Sequence, residues 1–391
     1  MAATALIFGA GKTGRGFAAH LAFLGGYELI LIDKDPQLVA ALRAAGQYEI
    51  RILDEKSTIC TIRPAGVFHI DEPAWMEYFT TTSLVFTAVF GNNFEALAAS
   101  LSPAFEKRHS ENPEQFLTII TCENFTDAAG VLKKMVLGHL MVLGQISPEK
   151  ARWVAEKIGF SESIILRTCL DAGPGDPALT VRAQNYFELP CDGEALKERL
   201  DVYGLKPLRH FADQLRRKIY TYNCINAVIT YLGAQKGYTE LYDAGNDAEI
   251  LAIAEKAAYE TSIAQLAEFG FNCDEQRQWV NAAFAKFADR NIPDPIGRNG
   301  ADPARKLGKE DRLIGPALLA LKYGIYPEGL LKGILACFAY HDPDKKQPIS
   351  DLIAKKGLPA VLQEVCGLSM QDELAQLIEE QLSKTSLHGG A

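Results

Sequence analysis

Lys218, Asn223 and Asn226 are the residues of this chain best suited to proton chemistry at a carbon–oxygen bond. They stand in Lys218-Ile219-Tyr220-Thr221-Tyr222-Asn223-Cys224-Ile225-Asn226, a mostly apolar stretch with helical character. On an ideal helix Asn223 lies about 140° and Asn226 about 80° around the axis from Lys218, so the three fit one broad face. A lysine amine whose pKa is lowered by desolvation can take the proton of a hydroxyl as hydride leaves the carbon. Asparagine amides can donate hydrogen bonds to the developing alkoxide or carbonyl oxygen. Lys218 also closes Arg216-Arg217-Lys218, and most basic clusters of that kind are solvated helix faces.

A second group of residues suits a dinucleotide. Gly9-Ala10-Gly11-Lys12-Thr13-Gly14 reads G-x-G-x-x-G after an apolar run, and Asp33 ends the next strand-like run about 20 residues on. Gly9 permits a tight turn, Gly11 lets the backbone approach a pyrophosphate, and Gly14 lets helix and strand pack closely. Lys12 and Thr13 sit at the helix N-terminus, where free amides and the dipole favour anions. Asp33 would bond ribose hydroxyls and repel a 2′-phosphate, which favours NAD over NADP, although Lys34 beside it weakens the contrast. Asp35-Pro36 reads instead as an N-cap with proline in the first turn.

These residues need a scaffold of parallel strands. Thr4–Phe8, Leu29–Ile32, Ser83–Val89 and Phe116–Thr121 are continuous apolar, β-branched-rich runs, the pattern of strands covered on both faces. Helical stretches alternate with them, which predicts an N-terminal doubly wound Rossmann-type α/β domain. From Leu196 onward helical periodicity dominates, with long candidates at 211–233, 248–269, 274–288 and 314–323. The Gly- and Pro-rich segment 171–193 marks the junction, with a strand expected to exchange between the halves. Residues 1–193 then form the NAD-binding domain and 194–391 a mainly α-helical substrate domain, with the reaction expected in the cleft between them.

Composition excludes several other classes. At 391 residues the chain favours two domains. A net charge of −9 argues against a nucleic-acid surface. No apolar run approaches the ~20 residues of a membrane span, and no secretion signal opens the chain. The eight cysteines and seven histidines fall at no metal-ligand spacing. A metal-free, reduced, cytoplasmic protein is the expectation.

The order of motifs resembles the polyol-specific long-chain dehydrogenases, the mannitol-1-phosphate 5-dehydrogenase family among them, from Ala5 to about Gly367. The resemblance rests on Phe8-Gly9-Ala10-Gly11…Gly14-Arg15-Gly16-Phe17, Thr121-Cys122-Glu123-Asn124, Lys218…Asn223…Ala227…Tyr231-Leu232-Gly233, and Arg305-Lys306-Leu307…Asp311-Arg312-Leu313-Ile314…Pro316. It implies NAD-dependent interconversion of a polyol, such as mannitol 1-phosphate, and its keto sugar, such as fructose 6-phosphate. Lys218 would then be the general acid/base, Asn124 and Asn223 would hold the reacting oxygen, and Gly91 and Glu123 would lie near nicotinamide and ribose. Without the family, Asn124 reads equally as a polar cap at a strand end. Members of the family are commonly monomers, which is the expectation for this chain.

The chain departs from that family at two positions. Its signature K-x-x-x-x-N-x-x-H ends here in Asn226, so no imidazole titrates at that place. Leu166 stands where relatives often have an acidic residue, and a missing carboxylate would lower the Lys218 pKa. These losses leave two alternatives open: a hexuronate or other sugar-acid reductase, or a dinucleotide-binding protein without hydride transfer. Arg298, Arg305 and Lys306, with Arg312, could bind a substrate phosphate or carboxylate, or serve ion pairs within the fold.

Overall fold

The computed structural model describes residues 3–54, 56–123, 126–142, 147–341 and 348–388, with side chains to Lys384. Asn124 lies outside these residues. The chain divides into two compact units, Met1–Ala212 and Asp213–Ala391.

The described residues of the first unit contain twelve strands: β1 Thr4–Phe8, β2 Glu28–Asp33, β3 Tyr48–Leu53, β4 Ile59–Ile62, β5 Gly66–His69, β6 Leu84–Thr87, β7 Leu117–Thr121, β8 Ile158–Glu162, β9 Cys169–Leu170, β10 Val181–Gln184, β11 Leu189–Asp192 and β12 Leu205–Leu208. Six form a parallel sheet in the order β5-β2-β1-β6-β7-β8. Order reverses at β1, and the ligand crevice of such sheets opens outside the strand ends at that reversal. The two-residue side-chain period splits β1 between two cores. Ala5 and Ile7 pack with Phe17, Leu21 and Phe86, whereas Leu6 and Phe8 pack with Trp75, Phe79 and Phe105.

Two smaller sheets were not legible as such. β4-β3-β10-β9 forms one, and β11 pairs with β12 in the other. That second pairing corrects the expected boundary at Gly193. Because Leu189–Asp192 runs parallel to Leu205–Leu208, the chain through Ala212 belongs with the first unit. It also corrects the expected strand exchange. Strands β9 to β12 all pair within the first unit, and the described residues of the second contain only an isolated bridge, Glu240 to Pro295.

The second unit is helical, with long helices at Cys224–Gln235, Ala248–Phe269, Cys273–Ala288, Ile314–Lys322 and Glu328–Phe338. Their ends follow side-chain chemistry. Asp247 accepts from the Glu249 and Ile250 N–H groups to start one helix, and Asn272 accepts from Asp274 and Glu275 to start the next. The expected single helix over 211–233 is interrupted by a π-turn at Ile219–Asn223. No described helix is long and apolar enough to cross a membrane. The fold is the expected Rossmann-type α/β domain followed by a mainly helical one.

Two glycines of the first loop differ in what they are needed for. A Cβ on Gly14 would lie 1.8 Å from the Gly9 carbonyl oxygen, so strand and helix could not keep their approach. A Cβ on Gly11 would meet no atom within 4 Å. Gly14→Ala is therefore expected to cost ~1–3 kcal/mol of stability, as overpacking does. Gly11→Ala is expected to stay within ~0.5 kcal/mol of the parent. Urea unfolding of both variants tests the contrast, which fails if the two lose equally.

Candidate active site

At the end of β1, Gly9 has φ 90° and turns the chain into the helix that begins with Lys12. Asp33, at the end of β2, ties the loop down: its Oδ2 accepts from Ala10 N at 2.6 Å and its Oδ1 from Asp35 N at 2.9 Å. A carboxylate offers about four acceptor positions, so two remain for ribose hydroxyls. Gly11 faces open space with no packing need for glycine, which is what close approach of a pyrophosphate requires. These residues fit a dinucleotide. Lys12 pairs with Asp171 at 2.8 Å on the surface, Thr13 makes no side-chain cap bond, and the Lys34 amine donates to Asn93 at 2.7 Å. Asp35 is the expected N-cap, accepting from Gln37 N at 2.9 Å.

Glu123, expected near nicotinamide and ribose, has a structural bond pair of its own. Its carboxylate accepts from Val89 N at 2.8 Å and Phe90 N at 3.0 Å, clamping the turn that leads into Gly91–Asn93. Burial pushes its carboxyl up and the two N–H donors pull it back. Phe90 is held at φ 63°, a strained backbone for a bulky residue, with its ring exposed. Glu123 thus shapes the loop around Gly91.

In the second unit, the π-turn changes the helix geometry of the catalytic candidates. Cys224 N–H reaches back five residues to the Ile219 carbonyl. One extra residue in the turn makes five steps cover the arc of four, and eight that of seven. Asn223 then lies about 40° from Lys218, not 140°, and Asn226 about 20° away, two turns along. The insertion gathers onto one narrow face what an ideal helix spreads over a broad one.

Lys218 is not on a solvated face. Its side chain is 5% exposed, and its pKa is lowered to about 7. Desolvation is the largest cause; the positive charges of Arg312 and Lys286 add to it, and Asp311 opposes it. Burial and cations of its own unit account for the direction expected from Leu166. Asn223, five residues on, is buried as well.

A polar layer behind the π-turn holds it. Thr261 donates to the Tyr220 carbonyl at 3.0 Å. Gln265 and Gln276 donate to the Thr221 hydroxyl at 3.0 and 2.9 Å, and Arg217 donates to Gln276 at 2.8 Å. Arg217 itself is buried, with its guanidinium 4.6 Å from the Phe271 ring centre. Of the cluster Arg216-Arg217-Lys218, only Arg216 is exposed.

The anion candidates divide. Arg298 is held by buried Asp294 at 2.8 Å, and Arg305 by Asp302 and Asp311 at 3.2 and 3.3 Å. Lys306 is buried, donates to the Asn299 carbonyl, and has its pKa lowered to about 7, first by desolvation and then by Arg312. Asn226 donates to Asn299 Oδ1 at 3.2 Å. Asp294, Asn299 and Lys286 were not identified from sequence. Asp294 lies in a Pro-rich connection and Asn299 in the short helix Ile296–Gly300 that follows, and their role appears only when the chain folds back onto Asn226. Among the described residues, no group of three or more His, Cys, Asp or Glu could hold a metal.

Thr261→Val removes the hydroxyl but keeps the shape, leaving the buried Tyr220 carbonyl unpaired. We expect a stability loss of ~1–3 kcal/mol by urea unfolding. A rise of the Lys218 pKa towards the usual lysine value should accompany it as the turn loosens. An unchanged variant in both respects would remove the hydroxyl from the account.

The chain matches the mannitol dehydrogenase Rossmann domain over residues 3–202 and the mannitol dehydrogenase C-terminal domain over 211–385. It is 30% identical over 386 residues to mannitol-1-phosphate 5-dehydrogenase of Bacillus subtilis (strain 168), covering 97% of this chain and all of that one. It is equally similar, at 30% over 391 residues, to the protein of the same name from Bacillus velezensis, with 97% and 100% covered. In fold it is similar to substrate-free D-sorbitol dehydrogenase (TM-score 0.78, 15% identity, 96% and 91% of the chains covered). It is also similar to Pseudomonas fluorescens mannitol 2-dehydrogenase in a ternary complex with NAD and D-mannitol (TM-score 0.68, 13% identity, 98% and 94% covered). With both halves matched and relatives spanned from end to end, the chain belongs to the mannitol dehydrogenase family and is an oxidoreductase of that family.

Proposed function

We propose that the protein is an NAD-dependent polyol dehydrogenase that interconverts mannitol 1-phosphate, or a closely related polyol, with its keto sugar, using Lys218 as general acid/base. The observation that carries the reading is the burial of Lys218 at the start of the π-turn, where desolvation and neighbouring cations lower its pKa to about 7. A general base works best with a pKa near the operating pH. The phosphorylated substrate is supported by the names of the relatives.

NAD, when bound, supplies the nicotinamide C4 that accepts hydride from the carbinol carbon or returns it. Gly11 and the Gly14 helix start would take its pyrophosphate and Asp33 its ribose. In the oxidative direction the neutral Lys218 amine takes the hydroxyl proton, forming a C=O bond as the C–H and O–H bonds break. In reduction, the ammonium gives that proton back to the carbonyl oxygen. Asn223, and Asn124 as the family resemblance implies, would donate to the reacting oxygen. The cytoplasm, which supplies NAD, is the compartment we assign.

The sign of the pH dependence follows. Oxidation needs the neutral amine, so its kcat/KM should rise with pH through about 7. Reduction needs the ammonium and should fall through the same range. Arg312→Gln removes a neighbouring positive charge and should move the midpoint upward. Lys218→Met should lower turnover by ~10²–10⁴-fold while NAD still binds. The test measures NADH formation or consumption with D-mannitol, mannitol 1-phosphate, fructose 6-phosphate and a hexuronate. No turnover on any of them, or full activity in Lys218→Met, would contradict the proposal.

A further inference from the structure

Asn226 stands two turns along the helix from Lys218, on nearly the same face, and its amide has a fixed direction. The direction originates at Asp294. This buried carboxylate is gripped by Arg298 through NH2 at 2.8 Å and Nε at 2.9 Å. A carboxylate in such a pair only accepts. Asn299 must therefore turn its NH2 towards Asp294, where it donates at 2.6 Å, and it also donates to the Pro295 carbonyl at 3.2 Å. Turning the Asn299 amide over would lose both bonds and set oxygen against oxygen. Its Oδ1 is thereby left for Asn226, which answers with its own NH2 at 3.2 Å. Lys306 secures the same residue from its backbone side by donating to the Asn299 carbonyl. With one N–H given to Asn299 and the amide so oriented, Asn226 keeps its Oδ1 as an acceptor. Unlike an imidazole, that acceptor does not change with pH.

We propose that Asp294 and Asn299 are positioning residues that fix Asn226 as a hydrogen-bond acceptor for a substrate hydroxyl beyond the carbon at which Lys218 works, so that the enzyme selects substrates carrying a hydroxyl at that place. The proposal rests on the polyol dehydrogenase reading. A site built to accept from a hydroxyl rejects the analogue that lacks it, because the acceptor is then left unpaired.

The test compares the full-length wild type with Asn299→Leu and Asp294→Asn on mannitol 1-phosphate and its monodeoxy analogues, one per free hydroxyl. In the wild type, one analogue should lose about tenfold or more in kcat/KM, the size of one hydrogen bond. In both variants KM for the parent should rise more than kcat falls, and the penalty for that analogue should shrink to under about threefold. Asp294→Asn is isosteric and serves if Asn299→Leu fails to fold. The same analogue penalty in variants and wild type, or a loss confined to kcat, overturns the selection of the hydroxyl. A second readout needs no turnover: the ¹H–¹⁵N resonances of the Asn226 carboxamide should move in Asp294→Asn, although the two side chains do not bond each other. Unmoved resonances overturn the relay. A wild type inactive on every polyol overturns the polyol reading and with it the substrate half of the proposal, while the carboxamide spectrum still decides the relay.

Discussion

Desolvation of the Lys218 amine is the constraint around which the second unit is arranged. An ammonium taken out of water is costly, and the protein meets that cost by lowering its affinity for the proton. The location of the amine depends on the π-turn, and the π-turn depends on hydrogen bonds that a regular helix would not need. Thr261 takes the Tyr220 carbonyl, while Gln265 and Gln276 take the Thr221 hydroxyl. Buried polar groups of this kind are costly when half satisfied and specifying when paired. The polar layer therefore does for the helix that carries Lys218 what a hydrophobic core does elsewhere: it selects one geometry.

The first unit applies the same logic to a loop. Gly14 is fixed by contact with Gly9, Asp33 by the Ala10 and Asp35 amides, and the turn before Gly91 by Glu123. Gly11 meets no atom that would exclude a side chain, which leaves its backbone open to the approach of a ligand. A residue whose type the chain does not need is a sharper pointer to function than one whose type it does.

Much of this was legible in the sequence, because strand runs, a glycine loop and an acid at the right distance are local patterns. β1, the helix Ala248–Phe269 and the Asp35 N-cap all stand where periodicity and capping chemistry put them. The illegible parts depend on contacts between distant residues. The partner of β11 lies beyond a 12-residue connection, which is why Gly193 looked like an end. A π-turn adds a residue without a sequence mark, so the 100° rule misplaced Asn223 and Asn226 around the helix. Asn226 looked like a lost histidine; its tie to Asn299 and Asp294 gives the amide a defined orientation of its own.

Proton transfer at the proposed site depends on the protonation state of one amine. Its most direct test is the titration of Lys218 itself, followed by the ¹³Cε shift of labelled lysine and assigned with Lys218→Arg. The account predicts a midpoint at about 7. A midpoint near the ordinary lysine value of about 10.4 would contradict it, since the group would then be an ammonium at neutral pH, with no lone pair free to take a proton.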